Sequence, residues 1–250
     1  MSLRSAIGLA RSLWIYRRPG RLRGLLALYR PFVEPGGVVF DIGAHLGDRT
    51  RAFRRLGARV VALEPQPAPM RWLRRFHGSD NGVVLLDQAA GAQAGHARLA
   101  LSESHPAVAS LSAGWRARVT REHQGFAAVR WEHTIEVAVT TLDALIDEHG
   151  RPDFCKIDVE GHEAEVLAGL SAALPALSIE FVGSALDHAQ ACLDRLAALG
   201  TYRYNAIAGE ERRFLWSQWQ PPEAVADWLA AGADGLASGD LYAVHQPEPK

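Results

Sequence analysis

Cysteine is almost missing from this chain. Only Cys155 and Cys192 occur, and neither belongs to a CxxC pair, which excludes a disulfide framework and a zinc knuckle and fits a reducing cytoplasm. Long apolar runs are missing too. The N-terminal stretch AIGLARSLWIY is interrupted by Arg11, so neither a spanning helix nor a secretory signal is readable. Charge of one sign is not in excess, because the formal net charge is -1 with 48% hydrophobic and 22% charged residues. Such a composition describes an ordinary globular protein and excludes a disordered or nucleic-acid-coating chain, so no nucleic-acid partner is expected. No internal repeat or low-complexity tract is present, and 250 residues suit one α/β domain with an appendage.

One absence is local. Residues 1–30 contain no acid, yet they hold Arg4, Arg11, Arg17, Arg18, Arg21, Arg23 and Arg30. Apolar positions at Leu9, Leu13, Trp14, Leu22, Leu25, Leu26 and Tyr29 suit two short amphipathic helices split near Pro19-Gly20. Residues 1–37 are therefore read as a helical segment packing on the domain, with the arginines on a solvated face. A membrane-surface helix and a transit peptide are the alternatives.

From residue 38 the pattern changes to short buried strands alternating with helices. VVFDI, RVVALEP, GVVLLDQAA, DFCKIDV and ALSIEF read as strands, with helices from about Asp48 to Leu56 and over APMRWLRRF, TLDALIDEHG, GHEAEVLAGL and LDHAQACLDRLAALG. This rhythm predicts parallel strands joined by right-handed crossovers, hence a Rossmann-like, doubly wound, mostly parallel sheet over 38–250. YRYNAIA, RRFLW and DLYAVH are read as closing strands, some antiparallel, around a helix at PPEAVADWLAAG. An insertion at about 95–140 breaks the rhythm: HARLALS and TIEVAVTT alternate apolar and polar residues around a long polar segment. His105, Trp115, His123, Trp131 and His133 lie there and are read as packing or surface residues.

Ligands of open α/β sheets bind outside the carboxyl ends of the strands, where the first strand feeds a glycine-rich turn. DIGAHLG stands at that place. Gly43 and Gly47 let the backbone approach an adenosine-bearing ligand, Asp41 can hold an amino or charged group, and Glu64, 23 residues beyond Asp41, ends the second strand where a carboxylate accepts ribose hydroxyls. A dinucleotide fingerprint needs glycines where His45 and Asp48 stand, and a side chain and a negative charge there oppose a pyrophosphate. S-adenosylmethionine has no phosphate and carries a sulfonium, which suits acid-rich strand ends.

The stretches VVFDIGAHLGDRT, VVALEPQP, VTTLDALI and KIDVEGHEAEVLAGL, in that order, resemble the FkbM-type methyltransferases. The resemblance implies a class I methyltransferase fold with S-adenosylmethionine as cofactor. It also implies that Asp41, Gly43, Ala44 and Gly47 form the methionine-side loop, that Glu64 binds the ribose, and that Asp87 or Gln88 borders the adenine. His45, inside that loop, is counted among the cofactor-binding residues. The resemblance further implies an oxygen acceptor on a carbohydrate, a polyketide or another small metabolite.

Asp158, Glu160 and His162 in KIDVEGHE are the candidate catalytic residues. Period-two alternation puts the two acids on one side of a strand end, close to where an acceptor would lose its proton. Glu180, which ends the next strand, is a further candidate for the acceptor pocket. A divalent cation on Asp158, Glu160, His162 and Glu163 is weighed and not adopted, so no metal is expected. An NAD(P)-dependent oxidoreductase and a catalytically silent adenosine-binding module are the rival readings.

Overall fold

The structure is a computed structural model and describes residues 3–16, 18 and 20–246, with side chains from residue 8 onward. The side chain of Arg4, and Arg17 and Pro19, where the sequence reading puts basic charge and a helix break, lie outside the described residues. Two helices, α1 (Leu3–Tyr16) and α2 (Arg21–Tyr29), precede β1 (Val38–Ile42), α3 (Asp48–Arg55), β2 (Arg59–Leu63), α4 (Pro67–His77) and β3 (Val83–Leu86). The chain then leaves the main sheet through β4 (Gln88–Ala90), β5 (Gly95–Leu101), α5 (Ala113–Glu122) and β6 (His133–Thr140). It returns with α6 (Leu142–His149), β7 (Phe154–Ile157), α7 (Glu163–Ala168), β8 (Ala176–Val182), α8 (Leu186–Leu199), β9 (Tyr202–Ala208), α9 (Pro222–Ala230) and β10 (Ser238–His245).

The main sheet has seven strands in the order β3-β2-β1-β7-β8-β10-β9. β1, β2, β3, β7 and β8 run parallel, and β10 is antiparallel to both neighbours. This is the doubly wound, mostly parallel sheet that the alternation predicts. Its winding reverses between β1 and β7, so the ligand-binding switch point falls beyond Ile42. The strands are buried on both faces, which is why they read as continuous apolar runs and not as alternating ones. One face packs Phe40, Ile42, Leu63 and Ile179 against the later helices; the other packs Val39, Val60 and Phe154 against α2 and α3, with Leu25 and Tyr29 inside that layer.

Three details differ from the sequence reading. GVVLLDQAA is two strands, because Asp87 turns out to solvent and pairs with Arg74 at 3.1 Å while β4 joins a second sheet. The insertion is folded: β5 pairs antiparallel with β6, β4 pairs parallel with β6, and α5 begins at Ser112, whose hydroxyl accepts from the Trp115 amide. RRFLW forms no strand. It runs beside β9 on one backbone bond, from the Leu215 amide to the Ala206 carbonyl at 2.8 Å, and on the side chain of Asn205, whose Nδ2 donates to the Trp216 carbonyl at 2.8 Å and whose Oδ1 accepts from the Trp216 amide at 3.2 Å. Among the described residues no helix is long and apolar enough to cross a membrane.

Candidate active site

Register brings the site together. Ile42 pairs with Leu63 on one side and Ile157 on the other, Leu63 pairs with Leu86, and Ile157 pairs with Ile179. The next residue on each strand therefore stands in one row across the carboxyl edge: Asp87, Glu64, Gly43, Asp158 and Glu180. Four of the five line a cavity of about 240 Å³. Asp87 does not, since its carboxylate turns outward to Arg74.

Gly43 has φ 83, and a Cβ there would overlap the carbonyl oxygen of Asp158. Only glycine lets β1 turn so close to the neighbouring chain. His45 follows with φ 49, a left-handed conformation uncommon for a residue with a side chain. Its backbone amide donates to Glu64 Oε2 at 2.9 Å, and the Gln66 amide donates to Oε1 at 2.8 Å. Glu64 is 2% exposed. Burial pushes its carboxyl up to about 7, against the two backbone N–H groups that hold the anion. Burial likewise lifts Asp41 to about 6, opposed by the Thr50 hydroxyl that donates to it at 2.5 Å. Asp41 and Ala44 stand behind the loop, in a cleft of about 30 Å³ shared with Lys156 and Asp158. Gln88 joins the cavity wall, whereas Gly47, at φ 78, caps α3 and faces a different cavity.

The acid-bearing loop after β7 is not a strand continuation. β7 ends at Ile157, and Glu160 has φ 56, so a turn and not period-two alternation brings Asp158 and Glu160 into one cavity. Glu163 braces that turn, its Oε1 accepting from the Val159 and Gly161 amides at 3.1 and 3.2 Å. Ser110 of the insertion donates to the Glu160 carbonyl at 2.6 Å, and a Cβ on Gly161 would strike Trp115. His162 lies outside the cavity lining, with Nδ1 3.7 Å from Glu165.

Asp158, Glu160 and Glu180 each bring a carboxylate oxygen within 4.8 Å of the others. They, and not the set with His162 and Glu163, are the residues that could hold a divalent cation. Burial, reinforced by Asp158, raises Glu160 and Glu180 well above the carboxylate range. Burial also works against the Asp158 anion, but Lys156, whose Nζ is 3.2 Å away, and Arg49 outweigh it and hold Asp158 below its ordinary value. Lys156 is itself buried and bridges Asp158 to Asp240 at 2.9 Å. The cluster thus sets one carboxylate held acidic beside two that burial and Asp158 make more basic than usual.

Sequence reasoning missed three further lining residues. Tyr16 of α1 places its hydroxyl 3.3 Å from His45 Nδ1. Gln66 stands beside Glu64, and Glu210 is held by Arg21 and Arg49 at 3.0 and 3.1 Å. Tyr16 and Glu210 come from opposite ends of the chain, and no short motif joins them. Leu99, Ala107, Ala109 and Leu111 of the insertion close the cavity with an apolar wall.

These residues fit an adenosyl sulfonium ligand. Five carboxylates and no lysine or arginine line the cavity among the described residues, which suits a cation and opposes a pyrophosphate. Each Glu64 oxygen has a lone pair left for a ribose hydroxyl. His45, 9% exposed, leaves Nε2 buried with no hydrogen-bond partner, a polar atom for a ligand to satisfy.

The sheet order, the glycine turn and the strand-end acids define a Rossmann-like class I methyltransferase fold. Residues 41–221 match the methyltransferase FkbM domain, and the chain belongs to that family. Family and fold imply S-adenosylmethionine as the cofactor. The 31-O-demethyl-FK506 methyltransferase FkbM of Streptomyces tacrolimicus is 32% identical over 159 residues, which span 55% of this chain and 61% of that protein. Solved structures of similar fold include a TehB-like S-adenosylmethionine-dependent methyltransferase from Corynebacterium glutamicum. Its TM-score is 0.47 at 11% identity, covering 89% of this chain and 88% of that one. A putative methyltransferase bound to its Trm112 activator in Haloferax volcanii gives 0.46 at 13% identity, covering 99% of each chain.

Proposed function

We propose that this protein transfers a methyl group from S-adenosylmethionine to a hydroxyl oxygen of a carbohydrate, polyketide or similar small metabolite. The observation that carries the reading is the cavity itself, acid-lined at the strand ends and apolar along the insertion. A relative named for a 31-O-demethyl substrate supports oxygen as the acceptor atom. The free, buried Cys155 and Cys192 support a reducing compartment, the cytoplasm.

When bound, the cofactor supplies an electrophilic methyl on a positive sulfur. Glu64 would hold the ribose, and the Gly43–His45 turn would hold the methionine part. Asp158, kept anionic by Lys156, would supply negative charge to the sulfonium. Glu160, in its carboxylate form, takes the proton of the acceptor hydroxyl, and Glu180 beside it shares that proton. A carboxylate made more basic than usual suits this task better than one held below its ordinary value, which favours Glu160 over Asp158. The wall of Leu99, Ala107, Ala109 and Leu111 excludes water from a displacement that neutralises charge.

The test is methyl transfer from methyl-labelled S-adenosylmethionine to a panel of sugars, glycolipids and hydroxylated macrolides, with product analysis. A labelled methyl ether is expected. Label on nitrogen or carbon in every product would overturn the oxygen assignment.

A further inference from the structure

The cavity that Gly47 faces lies outside the cofactor pocket and has a different character. It measures about 460 Å³, lies between α1, α3 and α4, and is lined by Leu13, Arg51, Arg54, Arg55, Phe76 and His77 among others. Arg54 is held by Asp80 at 2.9 Å. Arg51 and Arg55 are exposed and have no anionic partner among the described residues. The imbalance continues along the three helices. Arg11 and Arg18 beside α1, and Arg71 and Arg75 on α4, are also exposed and unpaired among the described residues. The only acid on these helices is Asp48, which Arg21 and Arg49 hold, and nearby Asp80 and Asp87 are taken by Arg54 and Arg74.

On α1, next in sequence to the cavity-lining Leu13, Trp14 is 65% exposed, with the Arg18 guanidinium 3.9 Å above its ring. An exposed tryptophan among unpaired arginines, on a helix whose Leu9 is buried in the protein, matches the water–lipid boundary, where an indole sits at headgroup depth and guanidinium groups meet phosphate. A cavity that mixes arginines with Leu13 and Leu46 suits a phosphate headgroup carried on an apolar body better than a nucleic-acid backbone. We propose that the face formed by α1, α3 and α4 docks on an anionic lipid surface. This stands on charge distribution and exposure alone and does not depend on the methyl-transfer reading. Docking there sets α1, which also supplies Tyr16 to the cofactor pocket, against the bilayer.

The experiment is co-sedimentation of the full chain with phosphatidylcholine vesicles and with phosphatidylcholine vesicles containing about one third phosphatidylglycerol. Binding is expected only to the anionic vesicles and should fade as salt rises. The double variant Arg51→Gln, Arg55→Gln should lower partitioning roughly tenfold or more, and Trp14→Ala should lower it as well, with the melting shift produced by S-adenosylhomocysteine unchanged. Should the α3 variant lose that shift, Arg71→Gln with Arg75→Gln on α4 reads the same patch. Equal binding to neutral and anionic vesicles, wild-type partitioning by these variants, or binding to an RNA homopolymer with none to vesicles would each overturn the proposal.

Discussion

Two carboxylate sites face one cavity, and they are built in opposite ways. Glu64, at the end of β2, has each oxygen fixed by a backbone amide and can only receive hydroxyls. Asp158, Glu160 and Glu180, after the ends of β7 and β8, crowd together, and Lys156 pairs with Asp158. A carboxylate held in place by backbone amides, with a lone pair left on each oxygen, suits recognition of a ligand; carboxylates that must share protons are placed to move one. On the proposed methyl-transfer reading, the contrast puts binding on the β2 side and proton transfer on the β7–β8 side.

Substitutions on the two sides should then separate cleanly. The largest effect is expected for Glu160→Gln, which removes the proton acceptor. Turnover should fall about 100- to 10,000-fold at saturating cofactor, with affinity for S-adenosylhomocysteine within a few fold of wild type; calorimetry alongside initial rates reads both, and equal losses in the two would merge the sites. Next in size, Glu64→Ala should weaken S-adenosylhomocysteine binding by roughly 1.5–3 kcal/mol, the worth of hydrogen bonds to a charged group. Unchanged affinity would move the ribose elsewhere.

Smaller effects sharpen the picture. Tyr16→Phe should cost about 1 kcal/mol in kcat/KM through the lost hydroxyl beside His45, a loss absent if α1 merely braces the sheet. The unliganded protein should also lose several degrees of melting temperature between pH 6 and pH 8. Glu64 and Glu163, both pushed up to about 7 by burial, bind protons more tightly folded than unfolded. Their stabilisation is complete below the unfolded carboxylate pKa and is lost as pH rises through 7. His45, lowered by burial from 6.5 to about 4, stays neutral in the folded protein while the unfolded imidazole still binds protons near pH 6, so it opposes the trend in part, and the two carboxyls outweigh it. A melting temperature that climbs over the same interval would contradict the assigned burial. The smallest effect is expected from EDTA, which should change the rate less than twofold if the three acids serve proton transfer and hold no cation; abolished activity would make the cluster a metal site.

The two sides also differed in how far the sequence revealed them. Glu64 was legible because strand, acid and spacing from Asp41 are local quantities, and parallel register turns them directly into a row of strand ends. The sheet was legible for the same reason, since runs such as VVFDI have one stable place in a doubly wound fold. On the other side, Asp158 and Glu160 were found by motif but placed by the wrong geometry: the left-handed turn at Glu160 depends on Glu163, Ser110 and Trp115, each set by tertiary packing. Asp87 looked equivalent to Gln88 until the chain turned between two sheets. Tyr16 and Glu210 were invisible, because their neighbourhood exists only once α1, α3 and the segment after β9 have docked together. Helix α5 hid inside a polar insertion, where Trp115 and Val119 alone among its residues are buried, too short an apolar stripe to read as a helix.

The central claim is that this acid-lined cavity takes an adenosyl sulfonium ligand and rejects a phosphate-bearing one. Thermal denaturation of the full chain with S-adenosylhomocysteine, NAD or NADP tests it most directly. A ligand at 100 times its dissociation constant stabilises by about 2.7 kcal/mol, so S-adenosylhomocysteine should raise the melting temperature by several degrees while NAD and NADP leave it in place. A shift with NAD or NADP and none with S-adenosylhomocysteine would contradict the account.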